Sequence, residues 1–162
     1  MNKLICHRAN LFGPSSKENE FSSIMNCLTN YKYDVEIDVY YINDMLHVGH
    51  DLPSKFTINS EDFLNIFSEY KKRLWIHCKN IEALVLFRQL ETKFNYFGHS
   101  NDDFVITSFG YIFTRPSIIN KNAIVVMPEM ICDDIIDSHF DSIAILTDYP
   151  IKYETYYNSI RT

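Results

Sequence analysis

The residues best placed to do chemistry lie in Asp34-Val-Glu-Ile-Asp-Val-Tyr40. Strand side chains alternate between two faces, so Val35, Ile37 and Val39 share one face and Glu36 and Asp38 the other. In a parallel sheet both faces are normally covered, and two carboxylates side by side on a covered face repel each other and lose their hydration. A divalent cation removes that cost, and hard oxygen ligands at this spacing suit Mg²⁺ or Ca²⁺. An edge strand with a solvated acidic face is the alternative. The same period recurs in Leu74-Trp-Ile-His-Cys-Lys79, where Trp75, His77 and Lys79 share a face. A strand lysine is commonly a snorkelling surface residue. Lys79, however, ends its strand at the edge where α/β folds keep their sites, within reach of a phosphoryl oxygen. His7-Arg8 ends the first apolar run, and His50-Asp51 follows a hairpin-like segment turning at Ile42-Asn-Asp-Met45. Further polar residues close later runs: His99, Asp102 and Asp103, Thr107-Ser108, Glu129, and Thr147-Asp148. Cap or turn duty accounts for Asp102, Asp103 and Asp148.

These groups need elements that bring strand ends together. Short runs rich in Ile, Val, Phe and Tyr mark strands at 3–6, 34–41, 45–48, 73–78, 103–107, 123–127 and 142–147. Between them, apolar residues three and four apart mark helices: one from Ser60 as N-cap through Phe63, Leu64, Phe67 and Tyr70, one after Asn80 through Leu90, and a weaker one over Phe21 to Leu28. Strand and helix in alternation predict an α/β class with a parallel sheet. The spacing after Phe94 leaves little room for full helices. The expectation is therefore a compact, trimmed TIM-type β/α barrel, with an open doubly wound sheet as the alternative.

At 162 residues and 46% hydrophobic content, one domain over 1–162 is expected. No run approaches the roughly 18 apolar residues that span a bilayer, and the polar N-terminus does not read as a signal peptide, so a soluble, cytoplasmic protein is expected. The net charge is -6 with dispersed basic residues, which excludes a stripe that would track nucleic acid. A small phosphorylated substrate stays compatible with it. Four separated cysteines suggest neither a zinc knuckle nor a disulfide framework.

Taken in order, these motifs resemble the glycerophosphodiester phosphodiesterase family, one of the phosphodiesterase barrels that also resemble phosphatidylinositol-specific phospholipases. Its opening H-R-G is matched by His7-Arg8-Ala9, its P-E-N faintly by Lys17-Glu18-Asn19, and its E-x-D pair by Glu36-Ile37-Asp38. Its H-D is matched by His50-Asp51, its strand-end lysine by Lys79, its S-F by Ser108-Phe109 and its closing T-D-x-P by Thr147-Asp148-Tyr149-Pro150. The resemblance implies hydrolysis of a small phosphodiester with a divalent metal, Mg²⁺ or Ca²⁺ with Mn²⁺ as a third choice. It gives metal ligation to Glu36 and Asp38, acid–base catalysis to His7 and His50, and phosphate binding to Arg8 and Lys79. His77 stands where the family has a third metal-binding glutamate, so the site is completed by His77, completed by a carboxylate elsewhere such as Glu129, or weakened. Some segments also look like a group of bacterial proteins associated with surface-polysaccharide gene neighbourhoods.

Overall fold

The computed structural model describes residues 3–132, 134–135 and 137–161. Ten strands and four α-helices lie along them. In chain order these are β1 (Lys3–Cys6), α1 (Phe21–Asn26), β2 (Asp34–Ile42), β3 (Met45–Val48), β4 (Phe56–Asn59), α2 (Ser60–Phe67), β5 (Leu74–Cys78), α3 (Ile81–Gln89) and β6 (Asn95–Phe97). They are followed by β7 (Phe104–Ile106), β8 (Ile112–Thr114), β9 (Ile124–Val126), β10 (Ala144–Thr147) and α4 (Pro150–Ser159). No described helix is long and apolar enough to cross a membrane.

Seven strands lie parallel in the order β6, β5, β2, β1, β10, β9, β8. β7 folds back antiparallel on β8, while β3 and β4 form an antiparallel flap on the far end of β2. The two ends of the parallel row meet through the turn after β7: the Ser108 amide donates to Tyr96 O at 2.8 Å, and the Tyr96 amide donates to Ser108 Oγ at 2.9 Å. This is the trimmed TIM-type β/α barrel, and not the open doubly wound sheet.

Period-two alternation divides the side chains between two cores. Ile5, Trp75, Phe97, Phe113, Ile124, Ala144 and Leu146 fill the barrel interior. Val35, Ile37 and Val39 point outward against Phe63, Phe67, Phe87 and Phe94. Helices α2 and α3 supply much of that outer layer, and each is started by an asparagine. Asn59 accepts from the Asp62 amide and Asn80 from the Ala83 amide, so the α2 cap is Asn59 rather than Ser60. Among the described residues no α-helix lies between β6 and β10, and on that side Phe104 and Ile106 stay 63% and 62% exposed. At the N-terminal end Asp34 closes the barrel floor, accepting from Trp75 Nε1 at 2.8 Å and pairing with Lys3 Nζ at 2.7 Å.

Candidate active site

The parallel register of β2 and β5 sets Asp38 beside His77, both facing into the barrel mouth. Glu36 and Asp38 are 2% and 1% exposed, so the solvated edge strand is excluded. His77 Nδ1 lies 3.0 Å from Asp38 Oδ1 and 3.8 Å from Glu36 Oε1. One ligating atom from each of Glu36, Asp38 and His77 falls within 4.8 Å of the others. Glu36 Oε2 and Asp38 Oδ2 are held from behind, by the Arg8 amide at 3.1 Å and by Asn19 Nδ2 at 3.1 Å respectively. Asp38 Oδ1 is buried without an aligned hydrogen bond. Asp38 Oδ1, approached by His77 Nδ1 and Lys79 Nζ, a second buried carboxylate and an imidazole nitrogen form a donor set that fits a divalent ion.

The two carboxylates have opposite electrostatics. Burial and the neighbouring Asp38 raise the pKa of Glu36, outweighing His7 and His77. Burial also acts to raise Asp38, but His77, Arg8 and Lys79 overcome it and hold that carboxyl far below its ordinary range. Arg8 Nε is 3.0 Å from Asp38 Oδ2 and Lys79 Nζ is 3.6 Å from Oδ1.

The loop after β1 completes the cluster. Arg8 and Ala9 both take left-handed backbone angles, with φ of 51° and 62°, which turns the Arg8 amide onto Glu36. A glycine would adopt this turn without strain, and the family motif has one there. His7 Nδ1 meets Asp148 Oδ1 at 2.8 Å, and Asn10 Nδ2 donates to the same oxygen at 2.8 Å. Burial acts against a charged His7, yet the bond to Asp148 and the charge of Glu36 prevail and raise its pKa.

His7, Arg8, Glu36, His50, His77 and Lys79 all line one cavity of about 750 Å³. His50 is held at Nδ1 by Asp51, 2.9 Å away, and its carbonyl accepts from Tyr40. His99 stacks on His77 at 4.6 Å between ring centres, and its pKa is lowered by burial and by the nearby His77 and Lys79. Two expected residues are placed differently from the rest. The Arg8 guanidinium is engaged by Asp38 and by Glu18 Oε2 at 3.3 Å. Glu129 lies outside the ligating cluster: its Oε1 accepts from Thr147 Oγ1 at 2.8 Å and from the Asp148 amide at 2.9 Å.

A crystal structure of a glycerophosphodiester phosphodiesterase from Agrobacterium tumefaciens str. C58 superposes with a TM-score of 0.54 at 16% identity, over 98% of this chain and 100% of that one. A second, from Parabacteroides distasonis ATCC 8503, gives a TM-score of 0.52 at 15% identity, over 99% and 98%. The fold is that of the glycerophosphodiester phosphodiesterases. No protein-family model matches the sequence, and no curated protein matches it.

On this phosphodiesterase fold, sequence reasoning matched Asp148 to the T-D-x-P motif but read it as a turn or cap residue, gave Glu18 and Asn19 no role beyond the faint P-E-N match, and missed Asn10. The signal for Asp148 is present in the sequence, since Ala144 and Leu146 face inward and period two carries Asp148 to the same side. Nothing local marks Asn10, whose partners come from the fold.

Proposed function

We propose that this chain is a metal-dependent hydrolase of glycerophosphodiesters or related small phosphodiesters. The observation that carries the reading is the convergence of Glu36, Asp38 and His77 within 4.8 Å, in a cavity also lined by His7, already paired with Asp148. Glu36, Asp38 and His77 would hold Mg²⁺, Ca²⁺ or Mn²⁺, which supplies Lewis-acid polarisation of a phosphoryl oxygen and stabilises charge gained in the transition state. Lys79 and the outer edge of the Arg8 guanidinium would bind phosphoryl oxygens.

His7 is the general base in this reading. Asp148 fixes the ring through Nδ1, leaves Nε2 to take the proton and stabilises the imidazolium that forms. His50, fixed through Nδ1 by Asp51, protonates the leaving alcohol. The likeness of some segments to proteins of surface-polysaccharide neighbourhoods supports a cell-surface phosphodiester as the substrate.

Kinetics of two variants test the assignment. His7→Ala and His50→Ala should each lower turnover roughly 100-fold or more. A leaving group that needs no proton should rescue His50→Ala alone. Equal rescue of both variants, or of neither, would remove the assigned roles. A second reading, a phosphoglycerol-binding barrel without turnover, draws on the pairing of Asp38 with Arg8, His77 and Lys79, three cationic or protonatable groups. It requires tight substrate binding with no product under any divalent ion.

A further inference from the structure

Glu129 is a half-buried carboxylate, with Oε2 enclosed, that the proposed reaction does not use. It sits in a short 3-10 turn after β9, entered through Met127 with a left-handed φ of 48°. Neither of its oxygens belongs to the Glu36, Asp38 and His77 cluster. Oε1 instead receives two hydrogen bonds from the end of β10, from Thr147 Oγ1 at 2.8 Å and from the Asp148 amide at 2.9 Å. Thr147 Oγ1 in turn accepts from the Tyr149 amide at 3.0 Å. The residue whose amide Glu129 captures is the one whose carboxylate holds His7 Nδ1. Asn10 adds a bond to the same Asp148 oxygen, and the Asp148 carbonyl accepts from the Gly13 amide at 2.9 Å. Both peptide groups of Asp148 are thus anchored, the carbonyl by the loop after β1 and the amide by Glu129.

We infer that Glu129 is a positioning residue for catalysis: it sets the backbone of Asp148, and through it the direction and tautomer of His7, without touching metal or substrate. The inference rests on the reading of His7 as the base. Its physical content is a lever. Asp148 follows a strand end, where ladder bonds no longer fix the peptide, and a carboxylate two bonds deep replaces them. Supports of this kind change rate or affinity by about 10- to 100-fold when removed from metal sites, and an imidazole–carboxylate pair has comparable geometric demands. Burial raises the pKa of Glu129 against the opposing bonds from the Asp148 amide and Thr147. Its work needs an acceptor oxygen and not a charge, so glutamine is a faithful replacement.

The test combines Glu129→Gln, Glu129→Leu and Thr147→Val in the full chain. Four quantities are read: kcat and KM on a glycerophosphodiester, Mn²⁺ affinity by calorimetry, and the low-field proton resonance of the His7 Nδ1–H bond to Asp148. Glu129→Gln should keep kcat within about threefold and keep the resonance. Glu129→Leu should lose about 10- to 100-fold in kcat with KM and Mn²⁺ affinity little changed, and should broaden or abolish the resonance. Thr147→Val removes one of the two bonds and should give an intermediate loss, which decides the matter if Glu129→Leu does not fold. An unchanged resonance and kcat in Glu129→Leu, or in Thr147→Val where only that variant folds, overturns the inference. Weakened Mn²⁺ binding in Glu129→Gln also overturns it and makes Glu129 a ligand. The resonance and the Mn²⁺ affinity are read without turnover. If the parent hydrolyses nothing, the proposed function fails, while these two measurements still decide the place of Glu129.

Discussion

At the residue scale the two carboxylates of β2, alike in sequence, are not alike in energy. Sequence reasoning treats them as a repulsive pair that neutralising either member relieves. The structure separates them, because Asp38 is surrounded by Arg8, His77 and Lys79, whereas Glu36 receives one backbone amide, His77 only at 3.8 Å, and the charge of Asp38. In chelator, Glu36→Gln should therefore leave the fold as stable as the parent or more so. Asp38→Asn should lose about 3 kcal/mol, the scale for removing one partner of a buried ion pair. Thermal melts check both, and equal shifts would refute the asymmetry. The sign for Asp38 follows from its lowered pKa: its contribution is complete above the unfolded value of about 3.9 and is lost as pH falls through the folded value. His7 has the opposite sense. Its folded pKa is raised, so its contribution is present below about 6.5 and is lost as pH rises through the folded value. Glu36 is one cause of that rise, so a cation on Glu36 should bring the His7 pKa down. An NMR titration of His7 with and without Mg²⁺ measures this, and an unchanged midpoint would separate His7 from the metal site.

At the scale of elements, what was legible in the sequence is what depends on local period. Strand alternation placed Glu36, Asp38, His77 and Lys79 on inward faces, and apolar spacing found α1, α2 and α3. The runs that escaped are β4, β6, β8 and α4. Asn95–Phe97 and Ile112–Thr114 are three residues each, too short to show a period, and α4 starts at Pro150 with tyrosines on several faces. The 103–107 run was legible as a strand, but its antiparallel direction comes from pairing with β8 and has no local signal. The His7–Asp148 contact joins residues 141 apart and exists only because β1 and β10 are neighbours. Asn80 shows how one residue ties elements together. It caps α3, its Nδ2 donates to Tyr41 O at 2.9 Å, and its Oδ1 accepts from the Tyr41 amide at 3.1 Å. Asn80→Ala should therefore cost about 2 to 3 kcal/mol, a helix cap plus the buried ends of two further bonds. Denaturant unfolding reads this, and a loss under about 1 kcal/mol would mean that the bridge to β2 adds nothing to the cap.

At the scale of the whole molecule, the barrel gathers Glu36, Asp38 and His77 at one mouth behind an uneven outer wall. Among the described residues the outer helices cover the β1, β2, β5 and β6 side, which carries Glu36, Asp38 and His77, and no α-helix follows β7, β8 or β9. Such a molecule gains stability from whatever gathers its strand ends. A divalent ion at one hundred times its dissociation constant should add about 2.7 kcal/mol and raise the melting temperature by about 5 to 11 °C. Replacing the imidazole by a third carboxylate in His77→Glu should shift preference from Mn²⁺ toward Mg²⁺ and Ca²⁺, read as a reversed order of melting shifts. The most direct test of the central claim is ³¹P NMR of a glycerophosphodiester incubated with the parent protein, first in chelator and then with Mg²⁺, Ca²⁺ and Mn²⁺ in turn. The account predicts a phosphomonoester, or a cyclic phosphate preceding it, that appears only with a divalent ion and is absent with Asp38→Asn. An unchanged diester under all three ions, with the ion bound, would contradict it.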